Sequence, residues 1–424
     1  MVKIRKTVLA VAFLLTLFSF HIEAKQILVS KNGNGISSLK TALTKVSAGD
    51  TIIISEGIYP EHGILIHIPV TIIGKNFPVI DGEAKGQIFY IDTSLVTITG
   101  LIIQNTGFSS MDDVAGIRTQ HVSHITISGN KFLNCCYAIF LAASNHCIIQ
   151  NNFIKGNPAN QQLAGNGIHC WQSINCDINH NEITGQRDGI YFEFVQGSTI
   201  SDNHSYENMR YGLHFMFNDN NRFVKNYFEN NGSGVAVMFS KNITMLNNTY
   251  RDNWGASAYG LLLKEINDSY VLYNHFEKNT AAVYMEGCNR IVFSRNDFIQ
   301  NGWAIRVQAS CMNNTIAFNN FSGNTFDIAT NGSLSLNIYS GNYWEQYEGY
   351  DLNKNGIGDI PFRPVSVFSM FSENMPESMV MMRSFCVTLL DKIEKVIPGV
   401  IPEDLIDNSP MMKKINTAYP GSGT

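Results

Sequence analysis

Between Gly189 and Met238 the chain repeats one five-residue phrase three times: Gly189-Ile-Tyr-Phe-Glu193, Gly212-Leu-His-Phe-Met216 and Gly234-Val-Ala-Val-Met238, at steps of 23 and 22 residues. Apolar residues at the second and fourth places alternate with the third and fifth, the period of a strand that buries one side. The outward set is then Tyr191 and Glu193, His214 and Met216, Ala236 and Met238. A repeat in the low twenties predicts a solenoid whose coils stack as parallel strands about 4.8 Å apart, so that equivalent residues form columns.

Outward from that stretch the phrase recurs as Gly116-Ile, Ala138-Ile, Gly167-Ile, Gly260-Leu, Ala282-Val and Ala304-Ile, with two longer steps of 29 and 26 residues. A second series falls once per coil: Asn130, Asn151-Asn-Phe, Asn181, Asn203, Asn226, Asn247, Asn274, Asn296, Asn319 and Asn342. Asparagine tolerates the left-handed backbone of a tight corner and bonds readily to an amide in the next coil. The pattern predicts an all-β fold, a right-handed parallel β-helix of about ten or more coils.

Lys3, Arg5 and Lys6 precede an apolar run from Val8 to Phe20, and Ile22-Glu-Ala24 suits cleavage, so residues 1–24 read as a secretory signal and the protein as periplasmic. Losing three basic residues and one acidic residue takes the formal charge from −5 to about −7. A mildly acidic surface argues against nucleic acid as a partner. With 44% hydrophobic residues the chain can build a large core without cross-links. Its eight cysteines include no CxxC pair. Cys147 and Cys176 are spaced to stack in neighbouring coils, where a disulfide is sterically allowed, although buried thiols are the favoured reading.

The solenoid is expected over 25–345, opened by an amphipathic helix within Gly35 to Ser47 that covers the first coil. This beginning resembles the N-terminal caps of pectin-lyase-like β-helices. A C-terminal segment, 346–424, follows. There, Asp351, Asn353, Asn355 and Asp359 are spaced like the start of a calcium loop, but Phe362 stands where the last ligand belongs, so an Asx-rich turn is preferred to calcium. Met379 to Val396 reads as a helix with one apolar side, suited to docking or to covering the last coil, and Met375, Met379 and Met382 fall on one helical face.

Chemistry belongs on the outward columns. The third places give Arg118, Phe140, His169, Tyr191, His214, Ala236, Leu262, Tyr284 and Arg306; the fifth give Gln120, Ala142, Trp171, Glu193, Met216, Met238, Lys264, Glu286 and Gln308. Solvent-facing columns rarely hold methionine. Met216 and Met238 fall on adjacent coils with His214 beside them, and thioethers select cuprous copper over zinc or calcium. His169 and Glu193, one or two coils away, are further candidates; interface packing under the C-terminal segment is the alternative use of the methionines.

The run Arg210-Tyr-Gly-Leu-His-Phe-Met216, with Tyr259-Gly-Leu-Leu-Leu-Lys-Glu265, Gly356-Ile-Gly-Asp-Ile-Pro-Phe-Arg-Pro364 and Leu389-Leu-Asp-Lys-Ile-Glu394, resembles the NosD family. The resemblance implies no enzyme but a copper-handling accessory protein that docks on an ABC transporter, a permease with its ATPase, and helps to load copper into nitrous-oxide reductase. A copper chaperone and the reductase are the other implied partners, with membrane contact only through the transporter. The rival reading is an exported polysaccharide lyase or epimerase. Hydrolysis by paired carboxylates is disfavoured, because Glu193 and Glu286 lie four coils apart, roughly 19 Å.

Overall fold

In the computed structural model, residues 24–420 are described apart from 32, 34, 110–111, 159–160, 333–335, 382–383, 386, 388 and 391–404. The signal segment and most of the Met379–Val396 helix expectation therefore lie outside the described residues. Each coil contributes a strand to each of three parallel faces, of 12, 14 and 13 strands, making the expected right-handed parallel β-helix of about 13 turns. The repeated phrase supplies the first face. Its leading glycine is dictated by crowding between coils: a Cβ on Gly212 would lie 2.8 Å from the Gly234 carbonyl oxygen, and one on Gly234 would lie 2.5 Å from that of Gly260.

Inward residues stack by kind, because each coil repeats the packing of the last. The second face buries Ile72, Ile98, Ile127, Ile149, Ile178 and Ile200 in register. The third stacks Phe228, Tyr250, Phe276, Phe298, Phe321 and Trp344, ring centroids 4.2 to 5.6 Å apart. Cys147 and Cys176 occupy equivalent places in adjacent coils as buried free thiols. A hydrogen bond between them, with burial, raises the Cys147 thiol pKa. Cys288 and Cys311 repeat the arrangement at a spacing the sequence reading passed over.

The asparagine ladder runs through buried corners, with a correction of register. Asn152 and Asn248 are the ladder members, while Asn151 and Asn247 precede them with φ of 54° and 52°. The left-handed turn and the ladder amide are thus consecutive residues, not one. Asn226 shows the bonding: its Oδ1 accepts from the backbone N–H and side-chain amide of Asn203, each at 3.0 Å. Its Nδ2 donates to Ile200 and Val224 carbonyls and to Asn248 Oδ1. The series ends on Asp407, whose carboxylate accepts from Asn342 N at 3.0 Å, Asn342 Nδ2 at 3.2 Å and Trp344 Nε1 at 3.0 Å.

The opening helix, α1 (Leu39–Leu43), is shorter than its apolar period suggested. Glu61 takes the Leu39 and Lys40 amide protons at 2.8 and 3.0 Å, fixing its N-terminus, and Leu39 and Ala42 are buried. At the other end α2 (Val367–Asn374), absent from the sequence reading, lays buried Phe368 against Phe326. Met375 caps this helix and a 3-10 turn follows over Pro376–Met381, so Met375 and Met379 share no α-helix. Residues 405–419 then run back along the coils. Leu405 is buried, the Asn320 side-chain amide accepts from Ile415 N and donates to the Ile415 carbonyl, and Thr417 donates to Asp297. This part of the expected irregular tail is a strap on the solenoid. Around Asp351 the turn oxygens accept backbone N–H groups: Gly356 N donates to Asp351 at 2.7 Å and Leu352 N to Asp359 at 2.7 Å.

Candidate metal centre

Strand register sets the columns of the first face. Arg118, Phe140, His169, Tyr191, His214 and Ala236 pair in succession, and Ala142, Trp171, Glu193, Met216, Met238 and Lys264 form the second column. Met216 and Met238 are therefore direct neighbours, about 4.8 Å apart along the solenoid. Both are half-buried. Exposure of the first column is the point that the alternation misjudged: Phe140, His169, His214 and Ala236 are buried although they point outward. Large rings stacked from coil to coil cover one another there. Tyr191 stands between His169 and His214 with centroids 4.7 and 4.8 Å away, and its hydroxyl reaches Met216 Sδ at 3.7 Å. Burial pushes the Tyr191 hydroxyl up to about 12, so it remains a donor.

His214 sits in an ionic nest. Asp188, fully buried, takes Arg210 Nε at 3.0 Å and Nη2 at 2.9 Å, and Tyr211 N at 3.3 Å. Arg210 Nη2 also lies 2.8 Å from His214 Nδ1, with Asp188 Oδ2 at 3.4 Å from the same nitrogen. A guanidinium only donates, so Nδ1 accepts and Nε2 carries the proton. His169 is held alike: Arg187 donates to Asn166 Oδ1 at 3.2 Å, which turns the Asn166 amide nitrogen toward His169 Nδ1 at 3.3 Å. Among the described residues neither histidine's Nε2 has a hydrogen-bond partner. Burial first, then the Arg187 charge, lowers His169 to about 3, keeping it neutral.

The sequence candidates divide into two groups. His214 shares a strand with Met216, which pairs with Met238. His169 and Glu193 instead line a cavity of about 370 Å³ with Arg118, Gln120, Phe140, Ala142, Trp171, Asp113 and His121. Small Ala142, between Gln120 and Trp171 in its column, leaves that dent. Burial raises the Glu193 carboxyl above its ordinary value. At the corner beyond this face, Phe194, Phe217 and Phe239 follow Glu193, Met216 and Met238 with φ of 55°, 57° and 52°. Their exposed rings stack at 5.2 and 5.1 Å.

A family model described as "Periplasmic copper-binding protein (NosD)" matches residues 154–349, a span that contains all five candidates. A relative in Pseudomonas aeruginosa named "Probable ABC transporter binding protein NosD" is 26% identical over 353 residues, covering 79% of this chain and 82% of its own length. This chain is similar to the NosD family. A relative of the same name in Stutzerimonas stutzeri is 25% identical, over 79% of this chain and 80% of that protein. Among solved structures, the Streptococcus pneumoniae adhesin PfbA aligns at 13% identity and TM-score 0.57, over 70% of this chain and 94% of that one. The periplasmic alginate epimerase AlgG aligns at 14% and 0.51, over 68% and 76%. These two show the fold alone.

The match to a copper-binding family model makes the donor set testable against the metal. Two neighbouring thioethers suit a soft monovalent ion, and the His214 imidazole nitrogen left without a partner is a third donor once free of its proton. Among the described residues no three His, Cys, Asp or Glu side chains gather as a metal cluster. Sequence reasoning missed Asp188 and the part played by Arg210. The signal was the place before each glycine, where Asp188, Tyr211, Ser233 and Tyr259 stand in register and only one is charged.

Proposed function

We propose that this protein receives a cuprous ion on Met216, Met238 and His214 and passes it on, working with an ABC transporter in the maturation of nitrous-oxide reductase. The observation that carries the reading is a half-buried methionine pair in strand register beside a buried imidazole whose Nε2 has no partner. Cuprous ion is the cargo here. Thioethers bind it without the charge neutralisation that thiolates bring, which suits a site that must also release it. His169 and Glu193, facing the adjacent cavity, serve as a secondary position for the ion. The transporter, a permease with its ATPase, is the partner that the names of the relatives support, and a copper chaperone or the reductase the exchange partner. Export to the periplasm agrees with the family description.

Replacing both methionines by leucine keeps volume and fold. A competition titration of the double variant against a cuprous chelator is expected to show at least a ten-fold loss of affinity; an unchanged affinity moves the site elsewhere. For the transporter, the exposed Phe385, Leu389 and Leu390 support the C-terminal segment as the docking element. Cutting the chain after Pro364 would also remove α2, Leu405 and Asp407, which pack on the last coil, so it cannot separate docking from capping. Replacing 382–404 by a short flexible linker leaves the cap in place. That variant should keep its thermal midpoint and copper affinity and fail to copurify with the permease; retained copurification removes this segment from the interface.

A further inference from the structure

We infer that the cavity beside the methionine pair is a binding site for a sugar acid, a polyhydroxylated ring carrying one carboxylate. The inference goes beyond the copper reading and holds for the metal-free protein. It starts from a set of unspent polar groups around one dent. The His169 ring is 8% exposed and faces the cavity, its Nδ1 accepts from the Asn166 amide, and its Nε2 N–H has no partner among the described residues. Tyr90 donates its hydroxyl hydrogen to Gln120 Oε1 at 2.7 Å, which fixes that amide and leaves its N–H donors unspent among the described residues. The Arg118 guanidinium lies 4.8 Å over the Phe140 ring and donates to the Asp113 carbonyl at 3.1 Å, yet among the described residues it is in no salt bridge. Nor does the Glu193 carboxylate, at the far end of the cavity, have an ion pair or hydrogen bond among the described residues.

These groups describe their ligand. His169 and Gln120 call for acceptors, Glu193 for hydroxyl donors, Arg118 for an anion, and the half-buried Trp171 indole for a flat apolar face. Sugar hydroxyls both donate and accept, the C–H face of the ring lies on an indole, and a carboxylate meets the planar guanidinium with two parallel bonds. From Gln120 through Ala142 and Trp171 to Glu193 is three strand spacings, about 14 Å, which admits a ring with substituents reaching both ends. Ala142 supplies the depth, because its methyl stands in the column between two larger side chains, and the volume of about 370 Å³ falls in the range of small-ligand sites. Other classes fit worse. An apolar ligand would strand the polar groups, a phosphate would meet Glu193 and Asp113, and a simple cation would meet Arg118.

Calorimetric titration of the metal-free protein with galacturonate, galactose and a short oligogalacturonate tests this. Galacturonate is expected to bind roughly ten-fold more tightly than galactose, because only it engages Arg118. Arg118→Gln should abolish that preference, and Trp171→Ala should weaken galacturonate roughly ten-fold. Ala142→Phe fills the dent without removing a polar group, so it should abolish binding and leave cuprous affinity at Met216 and Met238 unchanged. An oligomer bound more tightly than the monomer identifies the end of an acidic polysaccharide as the source, and equal affinity identifies a free sugar acid. Absence of binding by both galacturonate and the oligomer overturns the inference, as does galacturonate binding that survives Ala142→Phe or a preference over galactose that survives Arg118→Gln. Should Ala142→Phe fail to fold, full galacturonate affinity in Trp171→Ala overturns the site equally. No copper enters these titrations, so their failure leaves the methionine site standing, and failure of the methionine site leaves the cavity standing.

Discussion

Two columns of one solenoid treat polar atoms in opposite ways. At the corner from Asn130 to Asn342 each amide is buried and bonded to the coils on both sides, down to the Asp407 carboxylate. On the first face the His169 and His214 imidazoles are as well buried, yet each leaves one nitrogen without a partner. Burial without a hydrogen bond costs about 1–3 kcal/mol per group, so a chain selected for stability alone would pair or remove them. Where polar capacity is filled, the column is scaffold; the open imidazoles lie where we propose that the ion is received.

The largest expected effect breaks the filled column. Asn248→Ala strands the Asn226 amide groups and the Phe223 carbonyl and should lower stability by about 3 kcal/mol in denaturant titration. Asn247→Gly, one residue earlier at the left-handed place, should change it by under about 0.5 kcal/mol. Equal losses at the two sites would undo the corrected register.

The open column should instead show itself in acid. His169 has its folded value lowered to about 3 from 6.5, so the unfolded chain takes up the proton first as pH falls. Its contribution is complete above pH 6.5 and drains away toward pH 3, amounting to about 2 kcal/mol between pH 7 and pH 5. His169→Gln should flatten that slope in pH-dependent unfolding, and a slope unaltered by the substitution would show that the ring is solvated. The smallest effect belongs to the exposed ridge. Phe217→Gly relieves a left-handed phenylalanine but loses two ring stacks, terms of about 1 kcal/mol each, so the thermal midpoint should shift by only a few degrees and copper affinity should hold.

The period of 22 or 23 residues made the solenoid and the pairing of its first-face columns readable, because steric repetition forces equal spacing. Met216 beside Met238 was legible for that reason. Alternation tells which way a side chain points and nothing about what stacks over it, so the burial of His214 and Ala236 was not legible. Contacts made across long sequence separations were hidden as well: Asp407 reaching Asn342, or Ile415 reaching Asn320, follows no local pattern. Asp188 was hidden differently. It stands just outside the phrase, and its meaning comes from Arg210 and His214 one coil later.

A stack of near-identical coils is an unfinished filament, since its last coil offers the backbone and amide pattern that recruited it. Asp407 closes that prospect chemically. An asparagine there would present an amide N–H to another coil, but a carboxylate accepts from Asn342, Gly341 and Trp344 and has nothing to donate. Together with α2 and the returning strap it makes the molecule finite, so that copies at high concentration meet a sealed end and not a template for fibre growth.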